Sequence, residues 1–269
     1  TYDNICTVMI LSVDIGNTKT CLAVYADDVD AKLHSKVYLI FDTNKLISKE
    51  ALQDYVRWRL SNKGVDFEDI SVVCVSSVVP ALSKTWAKFV EDTQAEFFLF
   101  NYELALKLIN VSYPHPEEVA DDFYCAAIAA DRLYPGASIV VDFGTATNFS
   151  FIDSNSTFVG GIICPGIDLG MKALVSNASL IESFHPELPK HTIGQSSDEA
   201  LQSGIVLGEA KRADGLIQAA IAEWDEKDPN IIFSGGYSKY LSSYSHYDVI
   251  VDKELVLKGV YIAYKELVA

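Results

Sequence analysis

Two short stretches carry the residue types from which a phosphate site is built. One is Asp14-Ile15-Gly16-Asn17-Thr18-Lys19-Thr20; the other is Asp142-Phe143-Gly144-Thr145-Ala146-Thr147-Asn148. Each follows an apolar run, residues 10–13 and 139–141, and each leads into a second strand-like run, residues 21–25 and 149–153. The glycine lets the chain turn with positive φ and approach a ligand closely. The neighbouring Asn or Thr adds an amide or hydroxyl, and successive backbone N–H groups converge into a nest suited to phosphate oxygens. The aspartate cannot bind phosphate itself, because like charges repel. Its chemistry is to hold a cation, or that cation's water shell, bridging to the phosphates. One copy is as consistent with a plain β-hairpin. Two copies with matching flanks, half a chain apart, predict two lobes that clamp a nucleoside triphosphate in the cleft between them.

A second group of residues offers proton chemistry. Glu117, Glu118, Asp121 and Asp122 fall at the start of a helical stretch. Acids there complement the helix dipole, which is the plain account. The sharper one makes one aspartate a general base that takes the proton of an alcohol during phosphoryl transfer. Asp121 and Asp122 point in different directions on a helix, so at most one of them faces the cleft. Ser234-Gly235-Gly236 follows a short apolar strand, where glycines let a flat adenine ring lie against backbone; a simple turn fits equally well. The five histidines show no ligand spacing and read as surface or loop residues. No Gly-x-Ser-x-Gly elbow and no Gly-x-x-x-x-Gly-Lys-Ser/Thr loop is present, which argues against an α/β-type hydrolase and a P-loop enzyme.

The elements that must position these groups follow from the pattern. Strands are expected at 8–13, 22–25, 35–41, 70–75 and 97–100, with helices at 48–60 and 82–93, giving a βββαβαβ lobe. The run at 70–75 is β-branched, as in a strand buried on both faces, and ends in the loop Ser76-Ser77-Val78-Val79-Pro80. Such a loop, at the carboxyl end of a strand, is where open α/β sheets bind ligands. A second lobe of the same plan is expected from Pro116. It has helices at 117–133, 169–178, 197–224 and 255–267, and strands at 139–141, 149–153, 157–163, 231–233 and 249–251. The domains are therefore set at 9–115 and 116–269.

Composition narrows the class. The 269 residues are 49% hydrophobic and 22% charged, as in an ordinary globular protein, and the net charge is −16. An acidic surface disfavours nucleic acid and anionic membrane as partners. No apolar run reaches the roughly 18 to 20 residues that span a bilayer. The five cysteines, Cys6, Cys21, Cys74, Cys125 and Cys164, include no Cys-x-x-Cys and mostly sit in apolar runs. They read as free, buried thiols of a reducing compartment, which implies a cytoplasmic protein without a signal peptide. Met9 reads as the natural start, with the residues before it an extension.

Together these motifs resemble the type III pantothenate kinases, members of the acetate and sugar kinase, Hsp70 and actin superfamily. The resemblance rests on Asp14 to Thr18, Ser76 to Pro80, Asp142 to Thr147, Gly160 to Gly166, Gly235-Gly236 and Leu255 to Gly259, and spans the chain from Met9. It implies an α/β fold of duplicated ribonuclease H-like (actin-like ATPase) lobes, each a mixed sheet flanked by helices. It also implies a homodimer that phosphorylates pantothenate with ATP in coenzyme A biosynthesis, using Mg2+ or a similar divalent ion and K+ or NH4+. By position, Asp14, Ile15, Gly16, Asn17, Thr18, Lys19, Thr20 and Cys21 would form the first phosphate loop, with Asp14 on magnesium. Thr145 would contact ATP and Asp142 would hold the monovalent cation. Tyr113, Ala120, Asp121, Asp122, Phe123 and Ser197 would meet the acceptor, with Asp122 as the catalytic base.

One departure is specific. The family reads Glu-Glu-Val-Gly-x-Asp-Arg where this chain has Glu117-Glu118-Val119-Ala120-Asp121-Asp122-Phe123. A planar, permanently charged donor is replaced by an apolar ring that cannot mimic it. Two alternatives follow: a non-catalytic, nucleotide-binding regulator like the Bvg accessory factor group, or a kinase for another small alcohol whose apolar part packs on Phe123.

Overall fold

The computed structural model describes residues 8–26, 33–177 and 186–268. The expectations for Cys6, Ala178, His185 and the residues before Val8 lie outside these. The chain forms two compact units, Thr1–Leu133 with Leu255–Ala269, and Tyr134–Glu254.

In the first unit β1 (Met9–Ile15), β2 (Lys19–Ala26) and β3 (Val37–Asp42) form an antiparallel meander. β4 (Ile70–Ser77) and β5 (Glu96–Leu99) add in parallel, giving the order β3-β2-β1-β4-β5. β4 is buried along nearly its whole length, as its β-branched run predicts. α1 (Lys49–Ser61) starts where the Ser48 hydroxyl accepts from the Ala51 N–H at 3.3 Å, and it buries Leu52, Val56 and Leu60 at helical spacing. α2 (Pro80–Glu91) begins on a proline, whose missing N–H is no loss there, and buries Leu82, Trp86, Phe89 and Val90. The expected βββαβαβ order is observed. Two short elements had no clear signal, α3 (Tyr102–Ala105) and β6 (Asn110–Val111).

The expected helix at 117–133 is two elements. Pro116–Glu118 is a 3₁₀ turn, and α4 (Asp121–Leu133) starts at the aspartate pair. α4 lies in the first unit, so a boundary at 115/116 falls inside that unit. The cause is its contact with α9 (Leu255–Leu267). A Cβ on Gly259 would stand 1.9 Å from the Cys125 carbonyl oxygen, so only glycine allows the two backbones this approach. Both helices are therefore buried, and the last element of the chain returns to the first unit.

The second unit repeats the topology. β7 (Ser138–Phe143), β8 (Ala146–Ile152) and β9 (Thr157–Pro165) form an antiparallel meander; β10 (Asn230–Gly235) and β11 (Val249–Val251) add in parallel, in the order β11-β10-β7-β8-β9. Its core joins Ile139, Val141 and Phe143 of β7 to Phe149, Ile217 and Phe233. α5 (Ile167–Asn177) follows β9 after a single glycine. The expected helix at 197–224 divides into α6 (Ser197–Leu201), a π-helical turn (Gln202–Leu207) and α7 (Gly208–Glu223). α8 (Ser238–Ser242) is a further short helix.

Candidate active site

The first Asp-x-Gly turn joins β1 to β2, with Asp14 opposite Cys21 and Ile15 opposite Thr20. Gly16 does not take a positive φ, contrary to expectation. It is needed for closeness instead: its N–H donates to the Lys19 carbonyl at 2.9 Å, and a Cβ would stand 2.9 Å from that same oxygen. The segment after β3 braces the turn. Thr43 Oγ1 donates to the Gly16 carbonyl at 2.8 Å and lies 2.9 Å from Thr20 Oγ1, while its N–H donates to the Thr18 carbonyl at 2.9 Å. Lys45 Nζ donates to Asn17 Oδ1 at 2.9 Å. Lys19 pairs with Asp42 at 2.5 Å on the exposed surface. Thr43 and Lys45 were not singled out from the sequence; a polar Thr-Asn-Lys directly after a strand was their only signal. β4 closes the other side, with Ser76 beside Asp14 in the parallel register and Val78 N–H donating to the Ile15 carbonyl at 3.1 Å.

The acid pair opens α4. Asp122 Oδ1 accepts from the Phe123 N–H at 3.0 Å, and the Phe123 N–H also reaches the Ala120 carbonyl at 3.1 Å. Burial pushes the Asp122 carboxyl up from the usual range, against the backbone hydrogen bonds that favour its charged form. Burial, and then the charge of Asp122, raise Asp121 to about 6. Phe123 is buried at 8% exposure, Ala120 and Tyr113 are half-buried, and Tyr124 donates to the Pro116 carbonyl at 2.8 Å.

The second Asp-x-Gly turn joins β7 to β8, with Asp142 opposite Asn148. Gly144 also lacks a positive φ, and its N–H donates to the Ala146 carbonyl at 3.0 Å. Two other glycines do the shaping. Gly166 donates its N–H to the Thr145 carbonyl at 3.1 Å, and a Cβ there would meet the Gly144 carbonyl at 2.5 Å. Gly235 has φ +82°, and a Cβ there would stand 2.3 Å from Asp142 Oδ1. Gly235 thus leaves a space beside the carboxylate that any side chain would fill. Tyr237, just after the Gly235-Gly236 pair, donates to Asp168 Oδ1 at 2.7 Å.

Thr145 is exposed at the tip of the turn, and Ser197 is exposed as the first residue of α6, whose N-cap is Ser196. Thus Asp14 to Cys21 share one β-hairpin, Tyr113 precedes the 3₁₀ turn, and Ala120 to Phe123 lead into α4, all in the first unit; Asp142, Thr145 and Ser197 lie in the second. Glu209 and Arg212, which tie into the second turn, were missed. They lie in a stretch that reads as ordinary amphipathic helix.

Asp14 and Asp142 are the aspartates that end or nearly end the strands entering the two turns. Among the described residues no group of three or more His, Cys, Asp or Glu gathers as a metal cage. A magnesium-type ion on a nucleotide does not need one, since one or two carboxylates, waters and phosphates complete its shell. Of the cysteines, Cys74 and Cys125 are buried as expected, whereas Cys21 and Cys164 are half-exposed; among the described residues none of the four is in a disulfide. The described histidines, His34, His115, His191 and His246, are all exposed. No helix among the described residues is long and apolar enough to cross a membrane.

Comparison with known proteins bears on the fold and the family. A Baf family transcriptional activator from Campylobacter jejuni superposes with a TM-score of 0.59 at 19% identity, covering 95% of this chain and 98% of that one. The activator of 2-hydroxyisocaproyl-CoA dehydratase from Clostridium difficile, solved with bound ADPNP, superposes with a TM-score of 0.54 at 12% identity, covering 97% and 96%. At these identities the likeness shows the fold, and it is the actin-like ATPase fold expected from the sequence. A type III pantothenate kinase from Halalkalibacterium halodurans is 32% identical over 266 residues, which is 96% of this chain and 99% of that enzyme. The family model for type III pantothenate kinase matches residues 10–219, from within β1 into α7 and through both Asp-x-Gly turns, and the chain belongs to that family.

Proposed function

We propose that the protein transfers the γ-phosphoryl group of ATP to pantothenate, giving 4'-phosphopantothenate in the first step of coenzyme A biosynthesis. The observation that carries this reading is Asp122, a half-buried residue at the head of α4 and at the family's base position, whose carboxyl is pushed up by desolvation. Burial strengthens its affinity for a proton, so once ionised it takes the acceptor hydroxyl's proton better than a solvated carboxylate does. The loop from Asp14 to Cys21 receives phosphates on its backbone amides, and Thr145 contacts ATP from the second turn. Tyr113, Ala120, Asp121, Phe123 and Ser197 meet the acceptor.

The residues present fit the two cations that this reading includes. Asp14 is the ligand for Mg2+ or a similar ion. Asp142 is the ligand for K+ or NH4+, in the space that Gly235 leaves open and with the buried, otherwise unpartnered Asn148 Oδ1 across the strand pair. Bound there, such ions neutralise charge on the phosphates. The protein acts as a cytoplasmic homodimer in this reading. Its exposed apolar residues Ile163, Leu169 and Leu174 offer surface for a second copy, and light scattering on the purified protein tests that.

The test is ADP release with ATP, magnesium and potassium, with and without pantothenate. Pantothenate-dependent release that Asp122→Asn abolishes, with circular dichroism unchanged, supports the reading. Full activity in Asp122→Asn removes that residue from the mechanism. Phe123 favours a second reading, because its ring replaces the family's arginine. ATP binding without pantothenate turnover, unrepaired by other alcohols, would identify a regulatory relative; turnover of another alcohol would identify a changed acceptor, and Phe123→Arg is then the reversion to make.

A further inference from the structure

Glu209 is the second residue of α7, and it is only 4% exposed. A buried carboxylate is strongly unfavourable unless it is paired and hydrogen-bonded. Glu209 is both. Thr147 Oγ1 donates to its Oε1 at 2.5 Å, and the Arg212 guanidinium, three residues along the same helix, pairs with its Oε2. Arg212 Nη2 also donates to the Pro165 carbonyl at 2.6 Å. One ion pair therefore grips the start of β8 and the end of β9.

Those two strand ends frame the second phosphate turn. They are register partners, Ala146 with Pro165 and Thr147 with Cys164. Gly166, next to Pro165, donates to the Thr145 carbonyl and packs directly against the Gly144 carbonyl. Where Gly144 and Thr145 stand thus depends on where Pro165 and Gly166 stand, and Arg212 holds the latter. The π-helical turn Gln202–Leu207 directly precedes α7. That geometry is rare and frequent at functional positions. Here it sets the phase at which α7 begins, and so which residues meet the two strand ends.

Stability alone is a weak reason for such a pair. Replacing a buried ion pair by apolar side chains of similar volume is often neutral or stabilising. Apolar replacements would fill the space, but they would not direct the Thr147 hydroxyl or the Pro165 carbonyl. We propose that Glu209 and Arg212 are positioning residues for nucleotide binding, which fix the Gly144-Thr145 turn against the ATP phosphates without touching ATP. This rests on the ATP-dependent reading above.

The test is ATP affinity by calorimetry on the full chain, together with KM for each substrate. Thr147→Val and Arg212→Met should each weaken ATP binding by about tenfold, the scale of one lost charge-assisted hydrogen bond. KM for pantothenate should stay within twofold, and Thr147→Ser, which keeps the hydroxyl, should bind ATP as the wild type does. Arg212→Lys should fall between, because an ammonium has donors for both acceptors but not the reach and planar setting of the Nη2 that serves Glu209 and Pro165. It also serves if Arg212→Met fails to fold. Unchanged ATP affinity in folded Thr147→Val and Arg212→Lys overturns the proposal, as does a loss in Thr147→Ser equal to that in Thr147→Val. A wild type that binds ATP but ignores pantothenate refutes the acceptor reading, and the affinity ratios still decide this one. A wild type that binds no ATP overturns both.

Discussion

The two Asp-x-Gly turns occupy the same place in the same topology, yet they are held by different means. The first is braced by side chains: the Thr43 hydroxyl and Lys45 reach into the turn from the segment after β3. The second is braced by backbone approach, through Gly166 and Gly235, and by the buried Glu209–Arg212 pair. Both aspartates sit beside a serine on the neighbouring parallel strand, Ser76 and Ser234. Duplication has kept the strand order, the aspartate and the serine, while the support around each copy has diverged. The contrast predicts that the second turn is brittle to added atoms and the first is sensitive to lost hydrogen bonds.

The largest effect should come from Gly235→Ala. The backbone conformation alone disfavours a side chain by about 1–3 kcal/mol. The new Cβ would also collide with Asp142 Oδ1 at 2.3 Å and with the Phe143 carbonyl at 2.6 Å. A marked fall in melting temperature and loss of turnover are expected. Gly16→Ala, with one tight contact and no positive φ, should cost about 1–2 kcal/mol, as overpacking does. Equal melting temperatures for the two variants would contradict the contrast.

Next in size is Thr43→Val, which keeps the shape and removes the hydroxyl that serves the Gly16 carbonyl and Thr20. A loss of about 1–2 kcal/mol is expected, together with weaker ATP binding. Thr43→Ser should restore both. If Thr43→Val binds ATP with wild-type affinity, the side-chain brace is irrelevant to the first turn.

What was legible in the sequence and what was not follow from the range of each signal. Strands, the major helices and the paired turns were legible because hydrophobic period and motif spacing are local. The braces were not. Thr43 meets Gly16 across 27 residues and Thr147 meets Glu209 across 62, and nothing adjacent in sequence announces either contact. The compact units divide elsewhere than at residue 116 for a similar reason. Gly259 decides where α4 packs, and it lies more than a hundred residues away. Gly16 and Gly144 look like positive-φ glycines by motif, but the left-handed conformation falls on Gly235, brought to Asp142 by the β7–β10 register.

Asp121, at the head of α4, gives a smaller, pH-dependent effect. Its carboxyl is raised from the ordinary 3.8 to about 6. Between those values the folded protein keeps a proton that the unfolded chain has released. Stability therefore falls as pH rises through that window and levels off above it. Asp121→Asn should be more stable than the wild type at neutral pH, with the gain shrinking toward pH 3.8. Urea midpoints across pH measure this. A gain independent of pH would show that Asp121 is not the titrating group. On the acid side, activity should fall at a higher pH than an ordinary carboxylate dictates, since Asp122 is raised in the same direction.

The smallest effect is expected at Ser76, and its sign is informative. The side chain is fully buried beside Asp14, and its hydroxyl makes no hydrogen bond of ordinary geometry although the Cys125 thiol is near. A buried hydroxyl without a partner is unfavourable, and a thiol is a weak one. Ser76→Ala removes that burden and leaves only a small gap, so stability should stay within about 0.5 kcal/mol of the wild type or rise. Asp14 keeps its carboxylate in this variant, so ATP affinity should fall only if Ser76 turns toward Asp14 once nucleotide is bound. A stability loss above about 1 kcal/mol would mean that the hydroxyl is bonded in the free protein. Unchanged stability with weakened ATP binding would make Ser76 the hydroxyl support of the first turn, performing there the part that Thr147 performs in the second.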